Sequence, residues 1–414
     1  MSIWRVVRYR VRAAAGIVLA VGVAVGAAGA ASPAQAQPVL RLPPRSAAVS
    51  WGSNEHGQLG NGTTTDSATY AGVSGLSNGV AQVGAGEGGN SIALTTGGTV
   101  WTWGAGQGLG NGSTADSTVP VQVPGLAGIT QVSAGLGFDL ALRSDGTVWA
   151  WGFGIFGELG DGTANSSLTP VQVTGLTGVT QIAAGNGFSL AVRSDGSVWA
   201  WGWNKDGTLG DGTTTDSDVP VQVTGLSNVI QIAVGGSSAM AVRVQFRRIG
   251  SVTAAVRTVW AWGYGNSDHL GGADRTIPEP ISGINVPTVD AIAVGDAFSL
   301  VLGSDGSVWG WGANNLGELG LGTTTGEPLP VKILGASVAG ISAGGNDALA
   351  LLGNGNVLAW GNGLFGGVTS SLTPVVIPSL TGVTQISAGG DYSLAVHQVP
   401  AVSVPGGVSG TLRR

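Results

Sequence analysis

The sequence predicts an all-β fold: a seven-bladed β-propeller of four-stranded antiparallel blades, closed into a ring by N- and C-terminal half blades. Three observations carry that expectation. Trp-Gly recurs at Trp51, Trp103, Trp151, Trp201, Trp262, Trp311 and Trp360, at spacings of 52, 48, 50, 61, 49 and 49 residues. Around each pair runs the same frame: VxxIxAG, (F/Y)SLA(V/L), SDGxVWAWG, GxLGxGT and xPVxV. Gly supplies 75 of 414 residues, where about 7% is usual, so short runs are punctuated by turns at regular intervals.

Each part of the frame has a physical reading. The VxxIxAG run is a short strand that ends on the smallest residues, as at Ala134-Gly135 and Ala184-Gly185, which suits a place where several backbones crowd together. The SLAV and VWAWG runs flank Ser144-Asp145-Gly146, Ser194-Asp195-Gly196 or Ser304-Asp305-Gly306, a hairpin signal. Trp149 and Trp151 stand at i and i+2, so on a strand they share a face. Leu209-Gly210-Asp211-Gly212 reads as an irregular but ordered loop. Pro220 then opens an outer strand, where a missing N–H does least harm. Four short strands per repeat of roughly 50 residues make one propeller blade.

The ends are complementary. The last copy stops after its second strand, at residues 393–396, and the first begins at its third, Val49-Ser50-Trp51-Gly52. Residues 47–52 are therefore expected to pair with residues 392–397, which would close the ring without an exposed edge.

These elements resemble the regulator of chromosome condensation repeat family of seven-bladed propellers, over residues 47–397. The carriers are VWxWG, GxLGxG and IxAGxxxSLAL. Within that family the resemblance implies a nuclear guanine-nucleotide exchange factor, ligase, kinase or scaffold modules, and a secreted bacterial type that caps β-lactamases. The family often has His shortly after its AG pair. Here the equivalents are Asn90, Phe138, Phe188, Ser238, Phe298, Asp347 and Tyr392, which removes any role tied to that His. GxLGxG is eroded at Leu270-Gly271-Gly272 and lost in the copy of Trp360. The exchange factor of that family uses a wedge protruding from one blade; the only comparable insertion here is residues 244–257, which replace a three-residue turn with a basic insert carrying Arg247, Arg248 and Arg257. Exchange on a cytosolic GTPase is not expected.

Composition excludes other classes. Hydrophobic residues make up 43% and 14 Trp are present, far too apolar for a disordered tail. Formal net charge is −6, with only two Lys, and nucleic-acid binding needs dense cations. No Cys is present, so disulfides and thiolate metal sites are excluded. Residues 1–36 read as a secretory signal peptide: Arg5, Arg8, Arg10 and Arg12, an apolar run, then Ala34-Gln35-Ala36. Residues 37–46 read as a linker, 47–397 as the propeller and 398–414 as a flexible tail. The mature chain is expected to be secreted, periplasmic or on the cell surface, and to meet a membrane only transiently through its signal.

No catalytic motif is visible. The three His are His56, His269 and His397, and HExxH, GxSxG and GxxxxGK[ST] are missing. Asp161-Gly162-Thr163 and Asp211-Gly212-Thr213 lack the spacing of a calcium loop and read as solvated turns. No metal or cofactor is expected. In an antiparallel blade the loops joining strands one to two and three to four share a face. On that face the acids, Asp139, Glu158, Glu318 and Asp347 among them, far outnumber Lys205 and Arg275. The opposite face gathers Arg143, Arg193 and Arg243. The position after Trp-Gly is aromatic in three successive blades, as Phe153, Trp203 and Tyr264, with Phe156 close by; such rings suit an interface core. The expected site is Phe153, Phe156, Trp203 and Tyr264, with Asp206, Asp211, Asp216 and Asp218 steering a basic protein partner. The expected function is a secreted, non-enzymatic, monomeric protein-binding propeller. The alternatives are an inhibitor of a secreted enzyme such as a β-lactamase, and a propeller that binds cell-wall polysaccharide.

Overall fold

Alternation along VWAWG decides how neighbouring blades meet. Val198 and Ala200 are buried with Trp260 and Trp262 of the following blade, whereas Trp199 and Trp201 turn the other way, onto Val148 and Ala150 of the preceding one. Each blade thus offers a Val/Ala face to one neighbour and a Trp face to the other, so Trp149 and Trp151 do share a side. Seven of the Trp, one per Trp-Gly pair, are fully buried in these seams.

In the computed structural model, residues 40–41, 45–249, 252–265, 273–365, 367–399 and 403–404 are described. The predicted signal peptide, most of the predicted linker, the tail beyond residue 404 and Leu270-Gly271-Gly272 lie outside them. Seven four-stranded antiparallel sheets follow chain order. The third blade is typical, with Val179–Ala184, Phe188–Arg193, Val198–Gly202 and Ser217–Gln222 from the axis outward. The first to sixth blades begin at Val80, Ile129, Val179, Val229, Val289 and Val338. Among the described residues the only helical element is a 3-10 turn at Gly106–Gly108. The short antiparallel pair of Leu40–Arg41 with Ser403–Val404 forms a separate unit.

The seventh blade is composite. Val383–Ala388 and Tyr392–Val399 come from the C-terminal end, Arg45–Gly52 and Ser67–Gly72 from the N-terminal end. The expected register holds, from Ala47 opposite His397 to Gly52 opposite Tyr392, and extends to Arg45 opposite Val399. Gln385 then binds the first blade: its amide donates to the Val83 carbonyl at 3.0 Å and its oxygen accepts from Val83 N at 2.9 Å. Gln82 makes the same two-way contact with Val132, and Gln131 with Ile182. Gln181 also accepts from Ile232 N at 3.0 Å, so four seams between innermost strands carry such a Gln, while Ala291 and Gly340 stand at that position in the fifth and sixth blades.

The GxLGxG loop serves the same end. Trp201 Nε1 donates to the Glu158 carbonyl of the preceding blade at 2.8 Å, Trp103 to Gln58 at 2.8 Å and Trp360 to Glu318 at 2.8 Å. Gly160 has φ +66°, and a Cβ there would stand 2.7 Å from Trp201 Nε1, so only Gly lets the loop rest on the indole. In the sixth blade the loop is replaced by extended pairing of Val357–Phe365 with Val368–Val376, with irregularities between Ala359 and Gly361 and between Asn362 and Phe365. The buried Trp51 Nε1 of the next blade has no partner there.

One expectation changes on the outside of the ring, and the insert takes a defined form. Pro220 does not open its strand; it sits inside Ser217–Gln222, at the irregularity between the Gly202–Ser217 and Ala200–Val221 pairs. The insert extends the blade's own hairpin, with Val244 opposite Arg257 through to Ile249 opposite Val252. It is also tied to the fifth blade, because Arg257 donates to the Val289 carbonyl at 2.6 Å and pairs with Asp290 at 3.2 Å. On the same face, Arg143, Arg193 and Arg243 stack 5.3–5.9 Å over Trp149, Trp199 and Trp260. Cation–π contact with a half-buried ring thus accounts for them structurally.

Candidate functional site

Local glycine geometry brings the loop aromatics out. Gly152 has φ +106°, with the Gly137 carbonyl 2.4 Å from where a Cβ would be. The chain therefore leaves the strand sharply after Trp151. Phe153 N donates to Gly137 O at 3.0 Å, and the Glu158 carboxylate accepts from Phe156 N at 2.7 Å. The backbone is held from both sides while the side chains stay outside. Exposure is 39% for Phe153, 41% for Phe156, 60% for Ile155 and 44% for Leu136. These four, with Glu158, Asn186 and Gly187, surround an apolar cavity of about 230 Å³.

Phe153 and Phe156 were expected at a site, and they are together. Trp203 is half-buried, with its Cβ 3.6 Å from where a Gly187 side chain would begin; it flanks the cavity without lining it. Tyr264 is half-buried one blade further on and does not line the cavity. Leu136 and Ile155 were missed, because only aromatic residues in the loops after Trp-Gly were read.

Of the four Asp of the expected site, Asp206, Asp211 and Asp216 lie in the third blade's outer loop and Asp218 on its outer strand, Ser217–Gln222. Asp216 accepts from Asn204 N at 2.8 Å and pairs with Lys205 at 3.2 Å. Asp211 accepts from Thr213 N and Oγ1 at 2.9 and 2.8 Å, which makes it a turn residue, as does the matching contact of Asp161 with Thr163. Asp218 is half-buried and passes its carbonyl to Gly162 N at 3.0 Å. Asp206 is half-buried, and burial followed by the Asp274 charge raises its carboxyl above the usual range. Four acids counted on this face are in fact interior: Asp139, Glu158, Glu318 and Asp347 are 0–4% exposed. Their carboxylates or carbonyls serve the seams, and the exposed acidic surface is correspondingly smaller.

Beside the apolar cavity lies the mouth of the central channel. The channel has a volume of about 250 Å³ and is lined by small residues of the innermost strands, such as Ala134, Ala184, Ala343 and Ala388. The residue directly after each AG pair or its equivalent borders the mouth: Glu87, Leu136, Asn186, Gly236, Asp296, Gly345 and Gly390 in ring order. Asn186 Nδ2 donates to Asp296 Oδ1 at 3.2 Å, from the third blade to the fifth. Glu87 of the first blade hydrogen-bonds Asp296 as well. Burial first, and then the Asp296 charge, pushes Glu87 up to about 8. Burial, then the charge of Asp391, also raises Asp296. Two partly buried carboxyls in contact oppose each other's ionisation, which favours a proton shared between them.

Among the described residues no group of three or more His, Cys, Asp or Glu is placed to hold a metal ion. His56 Nδ1 lies 2.9 Å from Asp116 and its Nε2 lies 3.5 Å from Glu55, with no nucleophile in that group. His397 is half-buried on its strand.

Ring, seams and loop face together define a propeller of the RCC1-repeat class. The profile of the regulator of chromosome condensation (RCC1) repeat matches residues 97–142, 145–192, 195–242 and 305–351, and a second profile of that repeat matches 129–158, 179–208 and 289–318. The chain belongs to the RCC1 repeat family. Human WBSCR16 is similar in structure, with 20% identity and TM-score 0.72 over 85% of this chain and 100% of that one. Prp20p from Saccharomyces cerevisiae, described with its binding properties to Gsp1p and histones, gives 21% and 0.74 over 88% and 94%. Yeast RCC1 (Prp20) bound by Kap60 gives 21% and 0.72 over 92% and 97%. At such identities the likeness is one of fold. Comparison with curated proteins finds none that matches.

Proposed function

We propose that this chain is a non-enzymatic protein-interaction module, and that partners dock on the loop face over the second and third blades. The observation that carries the reading is the cavity of Leu136, Phe153, Ile155 and Phe156. Monomers seldom leave four large apolar side chains together in water without using them. Rigid aromatic rings bury much area at little rotamer cost, which favours them as binding anchors. The fold relatives give general support, since Prp20p is described with protein partners. The basic N-terminus, apolar run and Ala34-Gln35-Ala36 support a secreted protein of the bacterial type.

The test is capture from culture fluid and cell extract by the mature chain, side by side with Phe153→Asp and Phe156→Asp. Proteins held by wild type and lost by both variants support the module. Equal capture by all three places binding elsewhere. The insert of the fourth blade is the one feature that favours exchange on a small GTPase instead. A labelled-GDP release assay separates the two readings, and no acceleration is expected.

A further inference from the structure

We propose that the apolar cavity and the channel mouth form one composite site, which takes a partner segment carrying an apolar side chain with a Lys or Arg within two positions of it. The proposal rests on the interaction reading above and specifies the chemistry of what docks.

Asn186 joins the two halves. It lines the apolar cavity on one side and the channel on the other, and its amide reaches Asp296 at 3.2 Å. A ligand that fills the cavity therefore ends beside the Glu87–Asp296 carboxyl pair. Among the described residues, the ionisable groups facing that pair are themselves carboxyls, and burial raises that of Asp347. Asp347 from the sixth blade acts on Glu87, and Asp391 from the seventh acts on Asp296. The other mouth positions are Leu136, Asn186, Gly236, Gly345 and Gly390, so no mouth position supplies a cation. The mouth is also reachable, since Asp296 keeps solvent contact and Glu87 is half-buried. Adding an ammonium or guanidinium provides the missing positive charge. Glu87 then gives up the proton it shares with Asp296, the proton passes to solvent, and both carboxylates bind the cation. No covalent bond other than that O–H changes.

Proton release makes affinity depend on pH. With Glu87 at about 8, binding of a cation should tighten as pH rises towards 8 and level off above it, by at most about tenfold per unit for one proton released.

The experiment uses the full chain and fluorescein-labelled decapeptides with central Leu-Gly-Lys, Leu-Gly-Gln or Leu-Gly-Glu, titrated by fluorescence anisotropy from pH 6 to 9. Leu-Gly-Lys should bind tightest, and its affinity alone should climb with pH. Glu87→Gln and Asp296→Asn should flatten that climb while still binding, and Ile155→Asp should lose all three peptides. If affinity is indifferent to Lys, Gln or Glu and to pH while Ile155→Asp still abolishes it, the composite site is wrong and the interaction reading survives. If no peptide binds at millimolar concentration, the composite site is overturned too. The interaction reading itself fails only if the cavity variants leave partner capture unchanged.

Discussion

Asn90 donates its side-chain amide to Asp139 Oδ1 at 2.9 Å, from the first blade to the second, inside a seam where both residues are fully buried. Asp139 Oδ2 has no partner, and burial raises its carboxyl well above the ordinary range against the opposing pull of Asn90. A buried carboxyl in that setting is held neutral.

Stability should therefore fall as pH rises. The unfolded chain ionises Asp139 near the ordinary carboxylate range while the folded chain does not, so its contribution is full below that range and is lost as pH climbs towards the folded value. Asp139→Asn keeps the acceptor for Asn90 and removes the titration. Its melting temperature should depend less on pH between 5 and 9 than that of wild type, by scanning calorimetry. Asp139→Leu should cost about 1–3 kcal/mol, because the Asn90 amide is then buried unpaired.

Trp201 and Trp51 occupy the same place in their blades but differ in hydrogen bonding. Trp201→Phe removes one of the two donors to the Glu158 carbonyl, which keeps Ser189 Oγ at 3.0 Å, whereas Trp51→Phe removes a donor that already lacks an acceptor. The Trp201 variant should be the less stable by about 1 kcal/mol, the net worth of one such bond. Urea unfolding of the two proteins measures the difference directly.

Replacing residues 244–257 by Ser-Asp-Gly should shorten the hairpin to the turn of the other blades without breaking the sheet. A modest loss of stability is expected, about 1–3 kcal/mol for the charge-assisted bonds of Arg257 to the fifth blade. A loss no larger in chemical denaturation shows that the extension is an appendage of the blade. Failure to fold would show that it nucleates the fourth blade.

Deleting residues 37–52 should open the ring. Tyr392–Val399 would lose its partner strand along eight paired residues, and the two flanking seams would lose support. Unfolding should become broad, and the exposed edge should promote aggregation. Light scattering during thermal unfolding checks both; an unchanged sharp transition would refute closure at this seam.

The blades were legible because strand alternation and turn chemistry are local and were written seven times over. Phe153 could be read in the same way, from its place after Trp-Gly, and Phe156 as an aromatic three residues further along the same loop. Glu158 and Glu318 could not, since a carboxylate folded back onto Phe156 N or Leu316 N looks, in sequence, like any surface acid. The channel mouth was harder still. Glu87, Asn186 and Asp296 are roughly a hundred residues apart in turn, and only ring closure brings them together. The available signal was the single position after each AG pair.

The composite seventh blade also sets a timetable. Arg45–Gly52 belongs to the earliest-made part of the propeller, yet its partner strand Tyr392–Val399 is the last strand of the ring. Contacts so distant along the chain form slowly, because the intervening loop must be closed before they are rewarded. Six blades can assemble while the ring stays unlocked, and the final few dozen residues act as the bolt. A ribosome stalled before residue 392 should therefore hold a protease-sensitive chain, and one released past residue 399 a resistant one.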